Sequence, residues 1–251
     1  MLKWNKIYFD LDNTLYSHEY AFERAIQDCY QDVMEEWRDR GLHVPYVPLE
    51  DWFEVFKYFS DYYWPGYEEK KYSQQEYRRK RYLSTMKHFD LPNQVDEADR
   101  FHEQYYEKAN QYVQPYPGLY QTLSFFNQTG IEVGIITNGK QKTQQAKFNK
   151  LKLFRYIKQE HFFISEVVGI EKPDQHIFET ALGNENPEKA LFIGDTWEHD
   201  VVGALDASWN AIYLNTQNRP RTSEHQPLVE YKHFTQLLPF FLNKEHLNNE
   251  G

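Results

Sequence analysis

Two carboxylates set two positions apart close a short apolar run near the start of the chain, Lys6-Ile7-Tyr8-Phe9-Asp10-Leu11-Asp12-Asn13-Thr14-Leu15-Tyr16. Ile7, Tyr8 and Phe9 are β-branched or aromatic, which suits a buried strand of a parallel sheet, where apolar residues follow one another without alternation. Charge arrives only where the strand stops. In open α/β sheets the ligand lies outside the carboxyl ends of the strands, and Asp10 and Asp12 emerge there. Acids placed so close repel each other and are costly to desolvate unless a cation lies between them or one of them holds a proton. Taken by itself the stretch also reads as a strand followed by a turn, since Asp and Asn favour turns.

Past Tyr16 the period changes from strand to helix. Phe22, Ile26, Tyr30, Val33 and Trp37 recur at three or four and predict a helix from Glu19 to Arg40, stopped by Gly41. A second helix is expected over Leu49–Tyr63, ending near Pro65-Gly66. A third is expected over Ser73–Phe89, with Ser73 as N-cap and Glu76 completing a capping box, and a fourth over Val95–Asn110. Strand patterning is absent from this stretch. It reads as a helical insertion between the first strand and the second half of the chain.

Pro115-Tyr116-Pro117-Gly118 marks the return, and helix and strand then alternate. Strands are expected at Ile131–Thr137, Phe162–Ser165, Ala190–Gly194 and Ala211–Leu214. Helices are expected at Leu119–Thr129, Gln141–Leu151, Asp174–Leu182, Asp200–Ala207 and Phe234–Leu242. Such alternation means an α/β fold with a parallel sheet and right-handed crossovers. Residues 216–230 are polar, carry Pro220 and Pro227 and read as loop, and the tail from Asn243 reads as frayed.

Composition narrows the function. With 28 Lys+Arg against 38 Asp+Glu the formal charge is -10, which argues against a nucleic-acid polymer or an anionic membrane surface as the partner. An anionic substrate needs a local cationic trap. The single Cys29 cannot form an internal disulfide, and no apolar run is long enough to span a membrane, so a cytoplasmic protein is expected, a monomer or homodimer. Aromatic residues, 18% of the chain, crowd into its first half.

The polar residues at the predicted strand ends form a set. Asp10 and Asp12 follow the first strand, Thr137-Asn138-Gly139 the second, and Gly194-Asp195 the run Ala190–Ile193, with Asp200 further on; Lys172-Pro173-Asp174 opens a helix. One at a time, Thr137 reads equally as a helix cap, Lys172 as a solvated lysine and Asp195 as a turn former. Together they share one edge of a single parallel sheet.

Four stretches, DLDNT at Asp10–Thr14, TNG at Thr137–Gly139, EKPD at Glu171–Asp174 and GDTWEHD at Gly194–Asp200, resemble the signatures of the haloacid dehalogenase-like (HAD) hydrolases, in that family's order. The resemblance covers the core, residues 1 to 16 and about 113 to 243. Only the position of the helical insertion matches, where the family carries its type-1 cap; the segment between Gly139 and Lys172 is too short for the alternative cap. It implies a Rossmann-like catalytic core, residues 1–16 and 113–251, with an all-helical cap at 17–112. Within the family the core looks most like the branch of pyrimidine 5'-nucleotidases and small-metabolite phosphatases.

The resemblance implies Asp10 as nucleophile, forming an aspartyl-phosphate, and Asp12 as general acid and then base, a role for which a carboxyl beside a second acid is suited to hold the proton. It implies Mg²⁺ held by Asp10, the Asp12 backbone carbonyl and Asp195, with Asp200 in an outer shell or bound to Lys172. Lys172, the Thr137 hydroxyl and the backbone N–H groups of Asn138 and Gly139 are expected on the phosphate, where a strand-to-helix junction favours an anion and Gly139 allows close approach.

In the insertion, Trp52, Phe53, Tyr62, Tyr63, Trp64 and Tyr67 are candidates for stacking a substrate, and Arg81 or Arg78 of the run Arg78-Arg79-Lys80-Arg81 for clamping an anionic group. The plainer reading is that a small helical domain needs aromatics for its own core and that a charge run is a solvated face. His199, inside the fourth signature, reads as an exposed neighbour of Asp200. The function expected is an Mg²⁺-dependent phosphatase of a small phosphorylated metabolite, with a 5'-nucleotide among the candidates; a sugar phosphate or phosphoserine, and a non-catalytic binding protein on the same fold, are the alternatives. A haloalkanoate dehalogenase is disfavoured because that branch lacks the second acid.

Overall fold

The computed structural model describes residues 2–249, with side chains through 243. In chain order the elements are β1 (Lys6–Phe9), α1 (His18–Asp39), α2 (Leu49–Glu68), α3 (Gln74–His88), α4 (Val95–Gln111), α5 (Leu119–Gln128), β2 (Glu132–Thr137) and α6 (Gln141–Lys150). Then come β3 (Phe162–Ile164), α7 (Ser165–Val168), α8 (Gln175–Leu182), β4 (Ala190–Gly194), a π-helical turn (Trp197–Val202), α9 (Gly203–Asp206), β5 (Asn210–Leu214), β6 (Val229–Tyr231) and α10 (Leu237–Asn249). The chain forms two compact units, one of residues up to His18 together with Val113 onward, the other Glu19–Tyr112.

The first unit is a Rossmann-like sheet of six strands in the order β3-β2-β1-β4-β5-β6, every pair parallel. Strand β1 lies at its centre, and Phe9 is in register with Ile135 of β2 and with Ile193 of β4. The residues just past these three strands therefore leave the sheet side by side. Burial explains the unbroken apolar runs: Ile7, Tyr8, Phe9, Ile135, Ile136 and Leu191–Ile193 are all fully enclosed. Gly134 lies under the Tyr8 ring, 2.2 Å from where a Cβ would stand, so only glycine lets that aromatic cross the sheet.

The second unit packs four helices on an aromatic core. Trp52 is fully buried, stacked on Tyr30 at 4.3 Å and on Phe56 at 5.1 Å between ring centroids. Cys29 lies in the same core. The capping box of Ser73 and Glu76 is formed, with each side chain bonded to the other's backbone N–H.

Several elements differ from their sequence expectations. Helix α2 runs through Pro65 to Glu68: proline falls in the last turns, where it costs one backbone bond, and the helix resumes with the Glu69 N–H donating to the Pro65 carbonyl at 2.9 Å. The segment read as loop at 216–230 contributes the start of β6, which pairs with β5. The helix expected at Asp200–Ala207 starts earlier, as the π turn from Trp197, and only Gly203–Asp206 is α-helical. The terminal helix begins as a 3₁₀ turn at Phe234 and continues to Asn249, past the point where fraying was expected, while residues 250 and 251 lie outside the described residues. No described helix is long and apolar enough to cross a membrane.

Candidate active site

Because β1, β2 and β4 are neighbours, Asp10, Thr137 and Asp195 leave the same edge of the sheet. The Asp10 backbone N–H donates to the Ile193 carbonyl at 2.9 Å, which fixes the start of that loop against β4. Asp10, Thr137, Lys172, Asp195 and Asp200 are all buried. Lys172 Nζ donates to Asp10 Oδ1 and to Asp200 Oδ1, each at 2.6 Å. The other Asp200 oxygen accepts the Thr196 N–H at 2.9 Å, and the π turn is what swings Asp200 inward to do so. Gly194 is required here, since a Cβ on it would stand 2.4 Å from the Asp200 carboxyl carbon.

One oxygen from each of Asp10, Asp195 and Asp200 lies within 4.8 Å of the others. Three buried carboxylates with Lys172 as the adjacent cation leave an excess of negative charge. The proton affinities record it. Burial, helped by Asp200 and Asp12, pushes Asp10 up to about 7 against the lowering pull of Lys172. Burial and the charges of Asp10 and Asp200 raise Asp195 well above the ordinary carboxylate range. For Lys172, burial disfavours the charge, and Asp10 and Asp200 more than offset it. A set of hard, buried oxygens short of positive charge is one that a divalent cation such as Mg²⁺ fits.

Asp12 is arranged differently from expectation. Its carboxylate is not part of the cluster of Asp10, Asp195 and Asp200 and is gripped by Lys147 Nζ, 2.7 Å from Oδ1 and 2.8 Å from Oδ2. Gln144 Nε2 donates to Oδ2 at 3.0 Å, and the Tyr16 hydroxyl bonds to Oδ1. Burial raises the proton affinity of Asp12, but Lys147, His18 and Tyr16 outweigh it and hold the carboxyl far below the ordinary range. Proximity to a second acid suggested that Asp12 keeps a proton; Lys147, His18 and Tyr16 instead favour its ionised form.

The Thr137-Asn138-Gly139 loop is also partly engaged within the protein. The Asn138 side chain bonds the backbone of Lys172 in both directions, accepting its N–H at 2.8 Å and donating to its carbonyl at 2.9 Å. The Gly139 N–H, expected to face a phosphate, donates to Ser165 Oγ at 3.0 Å. Gly139 has φ +142°, and a Cβ there would lie 3.2 Å from the Gln144 side chain. Its bareness thus makes room for Gln144, which reaches past it to Thr137 Oγ1 at 2.5 Å.

Gln144 and Lys147 went unread in the sequence. Both lie on α6, QKTQQAKFNK, whose nearly all-polar composition hides which face turns inward. Their spacing of three, one helical turn past the second signature, is the signal that was available. His199 is half-buried rather than exposed.

Arg81 lies in the helical unit, buried, with Nε donating to His102 Nε2 at 3.1 Å and the guanidinium over the rings of Tyr77 at 4.9 Å and Phe56 at 5.0 Å. Among the described residues neither Arg81 nor the half-buried Arg78, which covers the Tyr106 ring at 4.6 Å, has a carboxylate partner. Arg79 by contrast pairs with Asp99 at 2.8 and 2.5 Å. Of the aromatics considered for stacking a substrate, Trp52 belongs to the core, Tyr67 stacks on Tyr77 and Tyr63 bonds to Ser84, while Tyr62 and Trp64 are exposed.

A family model described as haloacid dehalogenase-like hydrolase matches residues 7–208. The pyrimidine 5'-nucleotidase YjjG of Escherichia coli is 26% identical over 221 residues, covering 87% of this chain and 89% of that one. A glyceraldehyde 3-phosphate phosphatase of Pyrococcus furiosus is 26% identical over 214 residues, 83% of this chain and 79% of that one. Among solved structures, the HAD-hydrolase YfnB of Bacillus subtilis bound to magnesium covers 94% of this chain and 98% of its own at 22% identity with a TM-score of 0.76, a likeness of fold.

Proposed function

Since the chain belongs to the haloacid dehalogenase-like hydrolases, we propose that it is an Mg²⁺-dependent phosphatase that hydrolyses a small phosphomonoester through an aspartyl-phosphate on Asp10. The observation that carries this reading is the buried lysine-carboxylate cluster at the edge of the sheet, with Lys172 Nζ 2.6 Å from Asp10 Oδ1 and Asp195 alongside. A dianionic ester approaching an anionic nucleophile meets Coulomb repulsion of several kcal/mol at short range. The Lys172 ammonium offsets part of it and orients the attacking oxygen. Mg²⁺, held by Asp10, Asp195 and the Asp12 carbonyl with Asp200 outside them, would supply the remaining positive charge and polarise the phosphoryl oxygens.

Asp10 Oδ attacks phosphorus, the ester P–O bond breaks, and the leaving oxygen takes a proton from Asp12. Water then attacks the same phosphorus, the Asp10–phosphorus bond breaks, and Asp12 takes the water's proton. The second half suits the ionised Asp12 held by Lys147. For the first half the carboxyl must gain a proton before the leaving oxygen needs it, and this matters most for alkyl esters. The Thr137 hydroxyl and the Asn138 N–H would donate to the phosphate.

The nucleotidase relative favours a nucleoside 5'-monophosphate as substrate, and the glyceraldehyde 3-phosphate phosphatase relative favours a sugar phosphate. Arg81 is the candidate contact for an anionic part of the substrate, on the ground that among the described residues its buried guanidinium has no carboxylate partner and bonds to His102 and Tyr77. The buried Cys29 fits a reducing, cytoplasmic setting.

The test is phosphate release from p-nitrophenyl phosphate with Mg²⁺ or with EDTA, by wild type and Asp10→Asn, followed by nucleotides, sugar phosphates and phosphoserine ranked by kcat/KM. Release that is EDTA-sensitive and lost in Asp10→Asn is expected. Turnover by Asp10→Asn near the wild-type rate sinks the nucleophile.

A further inference from the structure

We propose that Gln144 and Lys147 are positioning residues for Asp12, fixing the direction in which its carboxylate presents its oxygens and tying that direction to Thr137. The inference rests on the reading of Asp12 as the acid-base group. Lys147 Nζ contacts both Asp12 oxygens, at 2.7 and 2.8 Å. A carboxylate held by one oxygen can still turn about its Cβ–Cγ bond; one held by both cannot turn without breaking a contact. Gln144 Nε2 adds a bond to Oδ2 at 3.0 Å, and its own oxygen accepts from Lys147 Nζ at 2.7 Å, so the two partners also hold each other.

The placement is shielded. Gln144 is buried and the Lys147 side chain is only 12% exposed, unlike the solvated ion pairs that contribute little. Gln144 and Lys147 sit three apart on one face of α6, and that helix starts directly after the loop that follows Thr137, the last residue of β2. Gln144 Nε2 bridges Asp12 Oδ2 and Thr137 Oγ1, so a displacement of either group is felt by the other.

Geometry of this kind matters to a group that works twice. Asp12 must give a proton to the leaving oxygen as the ester P–O bond breaks, and later take one from the water whose oxygen bonds to phosphorus as the Asp10–phosphorus bond breaks. Both transfers need a carboxylate oxygen within hydrogen-bond reach of successive atoms at one phosphorus, and a carboxylate that swings freely spends its time in unproductive directions.

Lys147→Met is therefore expected to lower kcat about 10- to 100-fold on an alkyl ester such as glycerol 3-phosphate, with KM little changed. The loss on p-nitrophenyl phosphate is expected to be smaller, because a nitrophenolate departs without a proton. Lys147→Arg keeps a two-pronged grip and recovers most of the rate. In the Asp12→Asn background Lys147→Met should change little further, since the group it positions is already gone. Circular dichroism and the melting temperature show whether each variant folds; if Lys147→Met does not, Gln144→Leu, which keeps the volume and removes the amide, serves the same comparison. Unchanged rates, equal losses on both esters, or the same loss with and without the Asp12 carboxylate overturn the inference and leave the proposed reaction standing. A wild type that releases no phosphate from any ester overturns both.

Discussion

The side chain of Asn138 clasps the backbone of Lys172, accepting its N–H at 2.8 Å and donating to its carbonyl at 2.9 Å across 34 positions of sequence. The loop after β2 thereby sets where the Lys172 ammonium stands, and through it the geometry of Asp10. Asn138→Ala removes both bonds without touching a charge. Activity should fall about 10²-fold, the scale on which a misplaced group of the site costs rate, while Asn138→Asp restores only the acceptor half and recovers little. Steady-state kcat at saturating Mg²⁺ checks this, and an Asn138→Ala enzyme as fast as wild type would mean that Lys172 is held by its carboxylates alone.

Metal binding has a readout independent of turnover. If Asp10 and Asp195 hold a divalent ion with Asp200 outside them, Mg²⁺ at 100-fold its dissociation constant should stabilise the fold by about 2.7 kcal/mol, visible as a rise in melting temperature. Asp195→Asn should shrink that rise by removing a ligand charge. Asp12→Asn should leave most of it, because the Asp12 carboxylate faces Lys147 and not the acid cluster. Equal loss in both variants would contradict the separation of the two sites.

The strands at the heart of the site were plain from sequence because burial on both faces writes an uninterrupted apolar run, as in Ile7–Phe9 and Leu191–Ile193, and charge then appears where the run ends. What the sequence concealed was of three kinds. β6 spans only Val229–Tyr231 and sits in a polar, proline-bearing stretch, too short to show any period. The inward face of α6 is polar, so no apolar stripe marks Gln144 and Lys147 as facing Asp12. The protonation order of the acids was hidden because it depends on which carboxylate a lysine reaches. Lys147 reaches Asp12 from 135 positions away, a relationship without any local trace.

That order of protonation gives a pH dependence. Asp10 has a folded-state value pushed up to about 7 from an ordinary 3.8, so between those values the folded metal-free protein binds a proton that the unfolded chain does not. Stability from this group is fully present below about pH 4 and is lost as pH rises toward 7, at no more than about 1.4 kcal/mol per pH unit. Asp10→Asn lacks the effect. In EDTA, the variant's stability relative to wild type should therefore grow from pH 4 to 7 and level off above it, read from urea midpoints of the two proteins at each pH. Excess Mg²⁺ should reverse the order at pH 7, where the ion favours the ionised wild-type carboxylate. A flat difference across the window would mean that Asp10 stays charged in the metal-free fold.

Gly194 closes β4 at the point where Asp200 folds back over it, and a Cβ there would lie 2.4 Å from both the Asp200 carboxyl carbon and Oδ2. The atoms it would meet run from the Cβ to the carboxylate of a salt-bridged aspartate and leave little room to relax, so Gly194→Ala should cost about 1–3 kcal/mol as overpacking. The displaced group is the one that shares Lys172 with Asp10 and that bonds the Thr196 N–H. Loss of its grip should let Lys172 drift and lower kcat about 10²-fold. The double variant Gly194→Ala/Asp200→Ala separates the two effects: trimming Asp200 relieves the clash, so stability should recover relative to Gly194→Ala, whereas activity should stay low because Lys172 still lacks its second carboxylate. Urea midpoints and kcat measured on the same preparations decide it, and recovery of both together would show that Asp200 merely fills space.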